Sequence, residues 1–178
     1  MNYDAMIIID MQTALVDAQP YNKENVIQNI KKLMDSCRNN QIPLIFICHD
    51  GGKGDELERD TPGWQMYKEL LPQRNEKIFH KNYNSAFRKT GLDDYLKKSG
   101  FKNLIMCGMQ TEYCFDTSCK VAFEYGYHVI IPRGTTTTFD NELLTGEKLT
   151  SYYEEKIWNN RFAKLKDVED LLKEIKDS

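Results

Sequence analysis

Apolar residues along this chain fall into two kinds of run, continuous and helically spaced. Ala5 to Ile9 is continuous and ends in Asp10, as strands buried on both faces of a parallel sheet are. Leu44 to Cys48 repeats the pattern, with Pro43 acceptable at a strand's start. Lys77 to His80, Leu104 to Cys107, His128 to Ile131 and Phe162 to Leu165 read as further strands. Between them, apolar positions recur three or four apart. Val26, Ile27, Ile30, Leu33, Met34 and Cys37 share one face of a helix over Lys23 to Asn40. Gly91 to Ser99 and Val168 to Ile175 repeat that spacing, and Trp64 to Leu71 and Asn141 to Asn159 are also predicted helical. Strands alternating with helices predict an α/β fold: a doubly wound, mainly parallel sheet with helices on both faces, in one domain over residues 1–178. His49 to Gly63 is a long loop rich in Gly and acid, the length at which loops act as lids. Thr135 to Asp140 reads as a polar turn.

The chain is organised around Asn103 to Gly126. Gly108 ends the apolar run, and Thr111 then stands where a helix N-cap would. Phe115, Ser118 or Cys119, Ala122 and Tyr125 follow at helical spacing, and Gly126 supplies the stop. Cys114 falls in the first turn, where unpaired N–H groups and the helix dipole would lower a thiol's pKa. Ligands of such sheets sit outside the carboxyl ends of the strands. Three strands deliver a reactive group there: Asp10, Lys81 and Cys114. A cation to stabilise a thiolate, a base to take its proton and N–H donors in the turn Gln110 to Cys114 are what acyl transfer needs.

Composition narrows the setting. A net charge of -3 gives no basic face for nucleic acid. No apolar run approaches a membrane span. Five cysteines, an odd number, with no C-x-x-C pair and no apolar leader before the first strand, predict free thiols in a cytoplasmic protein.

Four signatures carry a resemblance: Ile-Ile-Asp10-Met-Gln12; Lys81 followed by Asn84-Ser85-Ala86-Phe87; Gly108-Met-Gln-Thr111-Glu-Tyr-Cys114; and Thr137-Thr138-Phe139-Asp140-Asn141. In order and content the chain resembles the isochorismatase-like cysteine hydrolases, which include nicotinamidases and carbamoylsarcosine-amidase-type enzymes, from about Tyr3 to Leu172. The resemblance implies a catalytic triad of Asp10, Lys81 and Cys114. It also implies a cis Met109–Gln110 peptide, an oxyanion hole from the N–H groups of Gln110 and Cys114, and a homodimer or homotetramer. Exposed aromatics at Tyr152, Tyr153 and Trp158 would suit an interface or the domain's own core. The implied activity is hydrolysis of a small amide-like substrate through a thioester, without a cofactor. Trp64, Gln110, Tyr113, Phe115 and His49 are candidate substrate contacts, with core packing the alternative for Phe115.

The family's nicotinamidases hold a metal with an Asp-x-His pair and a later histidine. Here the region reads Cys48-His49-Asp50. Strand alternation turns His80 away from Lys81, and His128 starts its strand at the far end. No metal site is expected. Haloacid-dehalogenase-type phosphatases need a second acid where Gln12 stands, and Gly51 to Gly54 lacks the Gly-Lys-Ser/Thr ending of a phosphate cradle. A metal-dependent nicotinamidase and a ligand-binding protein that keeps the fold without catalysis are the competing readings.

Overall fold

The structure is a computed structural model that describes residues 3–177. Its sheet has the order β3-β2-β1-β4-β5-β7, all parallel: β1 (Ala5–Ile9), β2 (Leu44–His49), β3 (Lys77–Lys81), β4 (Asn103–Met109), β5 (His128–Pro132) and β7 (Lys164–Lys166). A two-residue strand, β6 (Thr136–Thr137), pairs with the end of β4. The strand order reverses between β1 and β4, the switch point at which such sheets open a crevice. Two apolar cores lie on the two faces. Met6, Ile8 and Phe46 pack with α2 (Lys23–Asn39) and α6 (Val168–Lys176) on one side. Ile7, Ile9 and Ile47 pack with α3 (Leu92–Lys98) and α4 (Asp116–Glu124) on the other. This is the expected three-layer α/β fold.

Several local expectations are corrected. Trp64 to Leu71 is not helical, because its backbone pairs with the segment after β1. Thr13 N–H donates to Gln65 O at 2.8 Å, and Tyr67 N–H to Met11 O at 2.8 Å. That segment itself contains a short helix, α1 (Thr13–Asp17), which the sequence pattern did not indicate. The helix expected from Asn141 begins only at α5 (Gly146–Tyr152). Asn141 Oδ1 accepts the N–H groups of Leu143 and Leu144, a turn that competes with helix, and the Thr145 side chain caps α5. A π-helical turn over Tyr153–Trp158 continues it. β7 starts two residues later than expected, and the threonine turn contains β6. Thr135 to Thr138 are all buried. Among the interface candidates, Tyr152 is exposed, but Trp158 is core, its Nε1–H donating to Asp116 Oδ1 at 2.8 Å. No helix of the described residues is long and apolar enough to cross a membrane.

Gly108 sets how closely the central strands meet. It pairs with Ile9 at φ 123°, and a Cβ there would lie 2.1 Å from the Ile9 carbonyl oxygen. Only glycine fits both the dihedral and the space. Gly108→Ala is expected to cost about 1–3 kcal/mol from overpacking. A melting temperature lowered by roughly 2–12 °C for a chain of this size is the readout, and an unchanged value would contradict the close approach.

Candidate active site

The parallel register of β2 and β3 pairs His49 with Lys81 and Cys48 with His80. Because side chains alternate along strands, His49 and Lys81 share one face and His80 takes the other. Lys81 is fully buried, and its Nζ meets three partners: Asp10 Oδ2 at 2.7 Å, His49 Nδ1 at 2.9 Å and Cys114 Sγ at 3.1 Å. An ammonium has three N–H donors and no acceptor, so this one is saturated. Burying an unpaired charge would be prohibitive, and the Asp10 carboxylate is the group that offsets it.

Asp10 reaches this position through a left-handed backbone, φ 51°, just past β1, with its N–H donating to Ile47 O at 3.0 Å. Aspartate tolerates that region better than most residues. Gln12, also buried, fixes the neighbouring strand end. Its Oε1 accepts the His49 N–H at 2.8 Å, and its Nε2 donates to His49 O at 3.0 Å and Trp64 O at 2.8 Å.

Cys114 sits in a π-helical turn, Thr111–Phe115, ahead of α4. Thr111 is not the cap. Gln110 precedes the turn in an extended conformation, and Thr111 is buried with its Oγ1 3.5 Å from Thr150 Oγ1. The Met109–Gln110 peptide is cis. The amides of Tyr113 and Phe115 donate to Gln110 O, each at 3.1 Å. Ser118 Oγ donates to Cys114 O at 2.6 Å and accepts the Ala86 N–H at 2.9 Å, tying the turn to the segment after β3.

The site's electrostatics correct the expectation of a lowered thiol pKa. Burial, and then the Asp10 carboxylate, push the Cys114 thiol up to about 12, against the lowering effect of Lys81. Desolvation outweighs what the helix start can give, so the ligand-free site holds a neutral thiol at neutral pH. Burial, and then the Lys81 charge, also hold His49 below the usual imidazole range. His49 is therefore neutral there, with Nδ1 accepting from Lys81 and the proton assigned to Nε2.

A cavity of about 260 Å³ opens onto this group, and Asp10, His49 and Cys114 line it. It is smaller than the roughly 300–1,000 Å³ usual for drug-sized ligands. Gln110, Tyr113 and Asn84 also line it, as do Leu15 and Leu57. Tyr113 is exposed. Two expected contacts are placed elsewhere. Phe115 is core, its ring 5.0 Å from that of Trp158. Trp64 packs on the core and on His80, ring centroids 5.2 Å apart. Neither is among the lining residues. Leu15, Leu57 and the exposed acids Asp55 and Glu56 line the cavity without having been singled out. They come from α1 and from the Gly-rich loop, where sequence marks a loop but not the direction of its side chains. A larger hollow of about 350 Å³ beside Phe123 and Phe162 is lined by no cysteine or carboxylate.

Asp10, His49 and Cys114 each offer an atom that could ligate a metal, all within 4.8 Å of one another. Lys81 Nζ contacts each of those residues, so its ammonium already occupies the place of a cation. His80, turned to Trp64, adds no ligand to them. The donor set does not fit the metal arrangement of the nicotinamidases.

Asp10 and Lys81 pull the thiol in opposite directions, which gives a test. In ligand-free protein, Asp10→Asn should speed iodoacetamide labelling of Cys114 near neutral pH, because a raising charge is removed and Lys81 remains. In the native chain the labelling rate should climb about tenfold per pH unit without a plateau up to about pH 10, as a pKa near 12 requires. A plateau near pH 7, or slower labelling in Asp10→Asn, would contradict this electrostatic order.

Comparison with known proteins agrees with this fold. Residues 4–169 match the family model "Isochorismatase domain". Streptothricin hydrolase of Streptomyces noursei is 28% identical over 138 residues, covering 76% of this chain and 50% of the relative. Nicotinamidase 3 of Arabidopsis thaliana is 30% identical over 154 residues, covering 78% of this chain and 75% of the relative. A crystal structure of an isochorismatase family protein superposes with a TM-score of 0.85 at 29% identity, over 92% of this chain and 97% of that one. The chain spans about half the length of the streptothricin hydrolases it matches. With the family model covering nearly all of it, the chain belongs to the isochorismatase family.

Proposed function

We propose that the chain is a cysteine-dependent hydrolase that splits the C–N bond of a small amide-like substrate through a thioester. One observation carries this: a single buried ammonium, Lys81 Nζ, touches both Asp10 and Cys114, and those two residues line a cavity open to small molecules. The thiol rests protonated. When a substrate carbonyl enters, Asp10 takes the Cys114 proton, and the thiolate formed lies 3.1 Å from Lys81 Nζ, which stabilises it. Sulfur attacks the carbonyl carbon. The N–H groups of Gln110 and Cys114 receive the oxyanion. As the C–N bond breaks, Asp10 returns its proton to the departing amine, leaving a thioester on Cys114. Asp10 then takes a proton from water, which attacks the thioester and releases the acid and the thiol. Gln110, Tyr113 and His49 line the cavity and serve as substrate contacts. His49, through its Nδ1 bond to Lys81, also holds the ammonium in place.

The names of two relatives, streptothricin hydrolase and nicotinamidase, fit a hydrolytic role. The cavity's access to Cys114 argues against a fold kept for binding alone, and the ammonium at the centre of the donor set argues against the metal-dependent reading.

A screen of small amides and ureides for ammonia release tests the proposal. Cys114→Ala should lose about a thousandfold or more of the turnover found with the native chain, and EDTA should leave native turnover unchanged. Full activity in Cys114→Ala would overturn the nucleophile. Activity lost to EDTA and restored by zinc would establish the metal-dependent reading instead.

A further inference from the structure

We infer that this cavity takes amides bearing an ammonium or guanidinium group and turns away those carrying a carboxylate, because Asp55 and Glu56 line it and no uncommitted cation does. The inference rests on the hydrolase proposal and deepens it by naming a substrate class. Three of the residues lining the cavity are carboxylates, Asp10, Asp55 and Glu56, and none is lysine or arginine. Lys81, which contacts the lining residues Asp10, His49 and Cys114, has already given its three donors to them. His49 is neutral at neutral pH. Arg59 lies over the Trp64 ring, 5.9 Å from its centroid, and Arg88 over the Tyr83 ring at 3.8 Å. A substrate carboxylate entering here would lose water and meet three carboxylates and no lysine or arginine among the lining residues, the combination that binding sites use for rejection.

Asp55 is held in place. Asp55 Oδ1 accepts the Leu57 N–H at 2.8 Å, and Asp55 O accepts the Glu58 N–H at 3.0 Å. Gly51 N–H donates to Leu57 O at 3.1 Å, and a side chain at Gly51 would run into Asp55. Neither Asp55 nor Glu56 has an ion-pair partner among the described residues. Deeper in the site, Asp10 Oδ1 is buried, and the Asp10 carboxylate faces the Cys114 thiol. Leu15, Leu57 and Tyr113 add apolar wall to the cavity. The arrangement suits a short apolar stem with an amide at Asp10 and Cys114 and a cationic head at Asp55 and Glu56. Low-dielectric walls focus the field of those acids into the cavity.

Two experiments read this charge preference. In the first, Cys114 is labelled by size-matched methanethiosulfonates, 2-aminoethyl (cationic) and 2-sulfonatoethyl (anionic). The sulfur attacks the reagent's S–S bond, forms a mixed disulfide and expels methanesulfinate, and rates are normalised to a small free thiol. The cationic reagent should label about tenfold or more faster at low ionic strength, equivalent to about 1.4 kcal/mol. Most of that preference should vanish in Asp55→Asn with Glu56→Gln, and a smaller part in Glu56→Gln alone. It should persist in Glu124→Gln, at the opposite end of α4. In the second, ammonia release is compared for 5-aminopentanamide, pentanamide and glutaramate, with turnover expected in that order. Equal or faster labelling by the anionic reagent, a preference unmoved in the double variant, or glutaramate as the best of the three amides would overturn the selection while leaving Cys114 as nucleophile. Failure of both reagents to label Cys114 would sink the hydrolase proposal with it.

Discussion

The site is built around a buried lysine. An ammonium removed from water has to find a partner for each of its three N–H groups, and Lys81 finds a carboxylate, an imidazole nitrogen and a sulfur. Those partners come from β1, β2 and the turn after β4. One charge thereby fixes the relative positions of three chain segments far apart in sequence. It also acts on its neighbours' protonation, adding to the lowering that burial imposes on His49 and opposing the rise that burial imposes on Cys114. Removing Lys81 would leave Asp10 as an unpaired buried carboxylate, a loss of about 3–5 kcal/mol in comparable cases.

The sheet makes that convergence possible through a few exact fits. Parallel register sets His49 beside Lys81. Gly108 lets β4 close on β1 where any side chain would strike the Ile9 backbone. Just beyond, Asp10 turns through a left-handed conformation that redirects its carboxylate toward Lys81. Gln12 holds both backbone groups of His49. Asp10, Lys81 and Cys114 are thus held by the ends of strands and by one helical turn, elements whose cores are closed on both faces. The cavity's outer lining instead comes from the loop Gly51 to Leu57, and its acids are what would distinguish this chain's substrates.

Much of this was legible beforehand because buried strands announce themselves. The apolar run that stops before Asp10 placed the end of β1, the run before Gly108 stopped two residues short of the end of β4 at Met109, and β3 ends at Lys81. Short segments bonded to distant parts of the chain were not legible. Trp64 to Leu71 looks helical until its backbone is seen pairing with Met11 and Thr13. Asn141 looks like helix until its side chain takes two backbone N–H groups. Phe115 and Trp64 are aromatic residues near the site in sequence, but the packing of their rings follows the core. The thiol's pKa departs from the expected lowering for a related reason. The helix start is a local feature visible in sequence, whereas the desolvation that outweighs it comes from the whole fold.

In the proposed reaction one sulfur, reachable from solvent and tied to Lys81, does the chemistry. Titrating the protein with iodoacetamide, mapping the modified cysteines and following amide turnover in the same samples tests it most directly. The account predicts one carboxamidomethyl group per chain, at Cys114, with activity falling in proportion, while the four buried cysteines stay unmodified. Turnover that survives full modification of Cys114, or that is lost on modification of another cysteine instead, would contradict it.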